Sequence, residues 1–135
     1  MTRFLFVALL VAACGGDDDS PSPDAAGSGS NANASCSVTA TATPNTTNRT
    51  ITGVGAVQCD ATTNISLEVC VQWNPDGTFK DIMCESSTKS GVKELSVENV
   101  SSCGIATGRK FRARVNASIS GTAKPEMLSS EVACE

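Results

Sequence analysis

Six cysteines, Cys36, Cys59, Cys70, Cys84, Cys103 and Cys134, are strung along the last hundred residues of the chain, no two closer than eleven positions. That spacing constrains the fold more than any other feature. Structural zinc sites use close cysteine pairs, commonly with histidine; here there is no Cys-x-x-Cys pair and no histidine. The same lack of close spacing argues against a redox-active pair. An even number of widely spaced cysteines in an oxidising compartment implies three disulfides. Such bridges matter most where a core is thin, and residues 36–135 hold only three aromatics, Trp73, Phe79 and Phe111.

From Cys36 onward Thr, Val, Ser and Ile dominate and turn residues recur at short intervals, the pattern of several short strands. Residues 37–43 (SVTATAT) alternate, and PNTTN follows as a turn. Residues 50–58 form a second strand, loosened by Gly53 and Gly55. Residues 64–73 form the clearest one: Leu67, Val69, Val71 and Trp73 point one way, Glu68, Cys70 and Gln72 the other. Asn74-Pro75-Asp76-Gly77 then suits a type I turn closed by a glycine bulge. That register sets Asn74 opposite Thr78, Trp73 opposite Phe79 and Val69 opposite Met83, the last two pairs on the apolar face. Residues 95–100, 110–118 (Phe111, Ala113 and Val115 inward) and 131–134 supply later strands. No long helical period and no internal repeat occurs. The chain has room for one domain, and the expectation over residues 36–135 is an all-β, disulfide-stapled Greek-key β-sandwich of about seven strands.

Cysteine counting alone leaves fifteen pairings open. Strand geometry leans toward one of them. A hairpin at PNTTN sets Cys36 opposite Cys59, the second hairpin makes Cys70 and Cys84 diagonal neighbours on the outward face, and Cys103 is left with Cys134. Each bridge is worth about 2–4 kcal/mol, mainly by restricting the unfolded chain.

The seventh cysteine, Cys14, belongs to a different segment. Arg3 supplies a positive start, residues 4–13 an apolar run of ten, and Ala12 and Ala13 a small-residue cleavage site. The run is shorter than the roughly twenty residues a spanning helix needs. Val11-Ala12-Ala13-Cys14 resembles the lipobox of bacterial lipoproteins, an aliphatic residue and two small ones before an obligatory cysteine. The resemblance covers only the first 14 residues. It implies that residues 1–13 are removed as a signal peptide, that Cys14 carries a diacylglycerol and that the new amino terminus is acylated. Several acyl chains anchor a protein stably where one holds it only marginally. Gly15, in the position that governs sorting in Gram-negative lipoproteins, implies the outer membrane.

In the segment 14–35, the residues after the cysteine (15–35) contain only Gly, Asp, Ser, Pro, Ala and Asn, with nothing to bury, and read as a disordered linker. Its end-to-end distance as a flexible coil is roughly 25 Å, enough to lift a domain off the lipid surface. Four of the fourteen acidic residues (Asp17, Asp18, Asp19, Asp24) lie here. From Cys36 onward nine Lys/Arg face ten Asp/Glu, so the domain is nearly neutral and its charge balance does not point to a nucleic-acid partner.

The run Gly108-Arg109-Lys110-Phe111-Arg112-Ala113-Arg114-Val115-Asn116-Ala117, with Gly121 and Ser129-Ser130 beyond it, is similar to part of a fibronectin type III module. In that family a glycine precedes an aromatic residue at the sixth strand, an alternating arginine-valine strand follows, and serines precede the last strand. Phe111 stands where the family usually has tyrosine, the second strand lacks the usual tryptophan, and the six cysteines are foreign to it. An immunoglobulin reading fits less well, since Cys70 points away from the Trp73 face.

Chemistry has few candidates. Without histidine there is no Ser-His-Asp or Cys-His arrangement, and there is no tyrosine. Glu68 with Glu85, or Glu94 with Glu98, are the carboxylate pairs to consider, and both read as solvated positions. No cofactor motif is present, and no enzyme is expected. Lys110, Arg112 and Arg114 form a candidate anion-binding stripe about 13 Å long on the outward face of one strand, suited to phosphate or sulfate groups of glycans, lipopolysaccharide or nucleic acid unless neighbours such as Glu131, expected near Arg112, balance it. Six of eight asparagines stand in Asn-x-Ser/Thr triplets (Asn33, Asn45, Asn48, Asn64, Asn99, Asn116), glycan acceptors in a secreted eukaryotic protein but not behind a lipobox. The expectation is a lipid-anchored envelope protein carrying a non-catalytic module with a protein or glycan ligand. The alternative is an accessory subunit or assembly factor of an envelope complex that docks by a sheet edge.

Overall fold

The computed structural model describes residues 33–104 and 108–134. The leader 1–13, the anchor position Cys14 and all but the end of the linker 14–35 lie outside the described residues. Seven strands form one antiparallel, hydrogen-bonded sheet, and no helix occurs among the described residues: β1 (Cys36–Asn45), β2 (Thr50–Asn74), β3 (Lys80–Ser102), β4 (Lys110–Ile119), β5 (Thr122–Ala123), β6 (Met127–Leu128) and β7 (Val132–Ala133).

Two strands are far longer than the sequence pattern suggests. Residues 50–58 and 64–73, read above as separate strands, are the two ends of β2, which runs 25 residues. The hairpin return and residues 95–100 are likewise the two ends of β3, 23 residues long. Residues 59–63 contain no proline or turn dipeptide, so the chain bends without leaving the sheet. The bend is visible as register shifts between Gln58 and Thr63 and between Thr63 and Ile65. Gly91 occupies a left-handed φ of 66° at the matching point of β3, and its N–H donates to Asn64 Oδ1 at 3.2 Å. Thr63 Oγ1 and Ser120 Oγ, 2.7 Å apart, share a hydrogen bond across the same corner.

Bending folds the sheet into two layers. One layer is β1, residues 50–58 of β2 and residues 92–102 of β3; the other is residues 80–89 of β3, residues 65–74 of β2, and β4 with the short strands β5–β7 on its far edge. Strand β4 lies beside β2 rather than beside β3, which precedes it, as in a Greek-key order. Between the layers sit Ile51, Val57, Ile65, Leu67, Val69, Val71, Val115 and one fully buried aromatic, Phe111. Trp73 and Phe79 are only partly buried. The glycines of β2 set the spacing rather than loosening the strand. A Cβ on Gly55 would stand 2.5 Å from Val69 Cγ2 and 2.9 Å from Val115 Cγ2; one on Gly53 would stand 3.1 Å from Val71 Cγ2.

The NPDG hairpin forms, with Asn74 Oδ1 accepting the Gly77 N–H, but its register differs from the expected one. Trp73 faces Lys80, Val71 faces Met83 and Cys70 faces Cys84, with a shift between Val71 and Gln72 that leaves Ile82 unpaired. One residue is taken up at the turn and one by this bulge, so Cys84 moves from diagonal to directly opposite Cys70. Met83, expected on the apolar face, is 49% exposed, because this half of β3 overhangs the core.

The final strand, expected over residues 131–134, is β7; two further short strands that the sequence pattern did not single out, β5 and β6, precede it, and all three pair with β4. Pro125 cannot donate to a ladder. Ser129 bridges the interruption: its Oγ accepts the Ala113 N–H at 2.8 Å, and its own N–H donates to the Ala113 carbonyl at 2.9 Å.

Candidate functional site

All six domain cysteines are paired: Cys36 with Cys59, Cys70 with Cys84, and Cys103 with Cys134. The first two bridges join directly opposed residues of neighbouring strands; the third ties the segment after β3 to the end of the chain, 31 positions away. Cys70, Asp81 and Cys84 bring ligand atoms within 4.8 Å of one another. Both sulfurs are bonded to each other there, and Asp81 is held by Gln72 and Arg114, so this donor set is already spent.

The stripe Lys110, Arg112 and Arg114 lies on the outward face of β4, as the alternation requires, but each cation is engaged. Lys110 Nζ lies 3.1 Å from Glu131 Oε2; the pairs Lys110–Ala133 and Phe111–Val132 set Glu131 level with Arg112, as the sequence suggests, and its carboxylate reaches diagonally to Lys110. Arg112 donates to Gln72 Oε1 at 2.8 Å and covers the Phe79 ring at 3.9 Å. Arg114 donates to Asp81 Oδ2 at 2.7 Å, with Glu126 at 3.5 Å and Glu68 at 3.7 Å, and its Nη2 lies 3.1 Å from Cys70 Sγ. Three cations among four carboxylates leave this face no excess positive charge to offer an anion.

Arg114 is the centre of that lattice, and the charges tune one another. Burial pushes the Asp81 carboxyl up, but hydrogen bonds from Arg114 and Gln72 outweigh it and hold the group below its usual 3.8. The Arg114 guanidinium is raised, chiefly by its hydrogen bond to Asp81 against the opposing cost of burial. Neither carboxylate pair considered from the sequence converges. Glu68 faces Ser86 whereas Glu85 faces Val69, so the two point to opposite faces. Glu94 and Glu98 share a face of β3 but stand four residues, roughly 13 Å, apart along it.

Four of the six triplet asparagines, Asn45, Asn64, Asn99 and Asn116, make side-chain hydrogen bonds. Asn45 Oδ1 accepts the Asn48 N–H at 3.0 Å in the β1–β2 turn. Asn116 donates to Glu68 Oε1 at 3.1 Å. Asn99, 1% exposed, donates to the carbonyls of Val69 (3.2 Å) and Met83 (2.8 Å), and its own triplet partner Ser101 donates back to its Oδ1 at 3.3 Å. A glycan at Asn99 has no room.

The concave feature with the most pronounced chemistry is one that the sequence pattern did not single out. At the turn end of the molecule, on the flank formed by β3, a cavity of about 260 Å³ is floored by Trp73, Ile82 and Phe111 and rimmed by Ser102–Gly104 and Arg109. The Arg109 guanidinium lies 4.4 Å from the centre of the Trp73 ring, a cation–π arrangement. Arg49, at a left-handed φ of 53° in the β1–β2 turn, donates from Nη2 to the Gly104 carbonyl at 2.9 Å. Among the described residues neither Arg49 nor Arg109 forms an ion pair. The flank is open because β3 pairs only with β2; its other edge carries no strand among the described residues. Comparison with protein-family models finds no match to the chain, and comparison with curated proteins finds none either.

Proposed function

We propose that the chain is a lipid-anchored cell-envelope protein, held in the outer membrane of a Gram-negative bacterium, whose β-sandwich domain is a non-catalytic binding or structural module. The observation that carries the reading is parity. Three disulfides consume every cysteine of the domain, which leaves Cys14 alone at the end of a lipobox-like tetrad. The domain is read as fibronectin type III-like. Support comes from its division into a three-strand layer (β1, β2, β3) and a second layer in which β2 lies between β3 and β4. The chain has no histidine or tyrosine, and its carboxylate pairs diverge, which supports recognition over catalysis. Palmitate labelling, blocked processing with globomycin, and intact mass of the membrane-extracted protein test the anchor. An unacylated amino terminus sinks it.

A second reading is favoured by the unpaired edge of β3: an accessory subunit or assembly factor of an envelope complex that docks by strand addition. Crosslinking followed by quantitative mass spectrometry separates the two. One membrane partner in fixed stoichiometry supports the second reading; its absence favours a module for external ligands.

A further inference from the structure

We propose that the flank cavity binds the carboxyl-terminal residue of a partner polypeptide. Its apolar side chain sits on Trp73, Ile82 and Phe111, its carboxylate faces Arg49 and Arg109, and the residues before it add as a strand to the free edge of β3. This deepens the binding-module reading and is independent of the lipid anchor.

Three observations converge on that occupant. The first is size and polarity. A volume of about 260 Å³ lies below the 300–1,000 Å³ typical of drug-sized ligands, so the cavity suits one side chain rather than a cofactor. The second is charge. Two guanidinium groups converge on Gly104: Arg49 through its hydrogen bond to the carbonyl, and Arg109 with Nη1 3.9 Å from where a Cβ on that glycine would stand. A guanidinium carries five donors in a planar fork matched to a carboxylate, and one bond from Arg49 to a carbonyl leaves most of them available. An apolar floor with Arg109 on its rim, and Arg49 bonded to the rim carbonyl of Gly104, complements an apolar group with a carboxylate beside it. The third is the edge. Ile82 and Ser102 both belong to β3, and β3 offers unpaired N–H and C=O groups along its outer side. A strand running antiparallel to residues 80–89 delivers its last residue at Ile82, beside the cavity. Main-chain bonds along an edge, with a pocket for one end, are the physics of strand addition and of terminal-carboxylate capture.

Trp73 is the sole tryptophan of the chain and lines the cavity, so its fluorescence reports occupancy without a label. The full processed protein in detergent is titrated with acetyl-Thr-Val-Thr-Phe as the free acid, with the same peptide as its carboxamide, and with 3-phenylpropionate. The free acid is expected to give a saturable change. The carboxamide is expected to bind about 10- to 100-fold more weakly, the loss of a charged hydrogen-bonding partner. Phenylpropionate, which lacks the strand, is expected to bind weakly as well. Arg109→Gln should bring acid and amide to similar affinity, while Lys124→Gln, beyond β5 on the opposite flank, should change neither; an unchanged disulfide map checks the fold of both variants. Equal affinity for acid and amide in the unsubstituted protein overturns the carboxylate assignment. Phenylpropionate binding as tightly as the peptide overturns the strand component. No fluorescence change with millimolar free-acid peptide overturns the proposal whole. None of these results depends on acylation of Cys14, so failure here and failure of the anchor are read separately.

Discussion

Replacing Gly55 with alanine decides whether the β2 glycines serve flexibility or spacing, because the two accounts predict opposite signs. The backbone there is ordinary strand, so alanine is conformationally allowed. If the glycine merely loosens the strand, alanine stabilises by about 0.4–1 kcal/mol through the unfolded state. The structure argues otherwise. The new methyl would stand 2.5 Å from Val69 Cγ2 and 2.9 and 3.0 Å from the two γ-methyls of Val115, where ordinary carbon contacts lie near 3.5–4.0 Å. Those methyls belong to two buried strands of the opposite layer, both valines 0% exposed, so neither yields without moving its neighbours. Overpacking of this kind costs about 1–3 kcal/mol, and the entropic gain offsets only part of it. Urea unfolding with disulfides intact should show a lower midpoint at unchanged m-value. With m of about 1–3 kcal/mol/M, the shift is a few tenths to one molar. Gly53→Ala, whose nearest contacts are 3.1 and 3.3 Å, should be far milder. Combining Gly55→Ala with Val115→Ala should recover part of the loss as a favourable coupling energy. A raised midpoint in Gly55→Ala would refute the close-packing account.

Asn99→Ala should cost about 1–3 kcal/mol in the same assay, because it strips the buried Val69 carbonyl and the part-buried Met83 carbonyl of their donor; a loss below about 0.5 kcal/mol would mean that water replaces the amide. Asp81 sits below its usual 3.8, so its contribution is complete above the unfolded value and lost as pH falls through the lower folded one; Asp81→Asn should flatten the acid limb of a stability–pH profile slightly, since the pair is partly exposed and screened, and leave stability above about pH 5 without slope change. The double variant Cys103→Ser/Cys134→Ser should lose about 2–4 kcal/mol and expose the β7 edge to faster amide exchange. A non-reducing peptide map should show the three observed pairs alone, and a Cys59–Cys103 peptide would contradict them.

Much of the fold is legible because alternation is a local signal. Leu67, Val69, Val71, Phe111, Ala113 and Val115 face inward as their spacing dictates, and the hairpin at PNTTN sets Cys36 opposite Cys59. What escaped the sequence is what depends on register and on bends. The expected NPDG register sets Asp81 opposite Val71, on the apolar face; the observed one sets it opposite Gln72. A one-residue slip reverses every side chain, and with it the partner of Arg114 disappears from view. The sequence therefore offers Glu131 alone as a balancing neighbour of the basic stripe, whereas the structure adds Asp81, Glu68 and Glu126. The cavity escaped for a similar reason. Arg49 and Arg109 are 60 positions apart in the chain; they meet at Gly104 because Thr50 pairs with Ser102, and the bend of β2 and β3 sets Trp73 and Ile82 of the other layer beside them. Nothing local marks that bend beyond Asn64 and Gly91.

The bend also explains why the two flanks of the domain are unequal. Because β2 and β3 each serve both layers, β3 is an edge strand for its whole length among the described residues, and a long exposed edge invites indiscriminate pairing. The β4 flank avoids this by fragmentation: Pro125 and Ser129 divide the covering chain into two-residue strands. Strand β3 has no proline. Its protection is charge, with Glu85, Lys89, Lys93, Glu94 and Glu98 distributed through its middle and end, and with the Cys70–Cys84 bridge pinning it to β2. Alternating charge penalises an apolar or like-charged strand yet tolerates a polar one of suitable sequence, so the edge discriminates rather than being closed. Exposure of large apolar side chains on it is confined to its beginning, at Ile82 and Met83, and to Val100 near its end, and Ile82 itself lines the cavity. A strand accepted here gains from the pocket only if its final residue arrives there. Substituting Glu85 and Lys89 together with threonine should therefore weaken the discrimination, letting strands without a matching terminus pair and promoting self-association by light scattering; a variant that stays monomeric at millimolar concentration would show that the edge is closed by something other than charge.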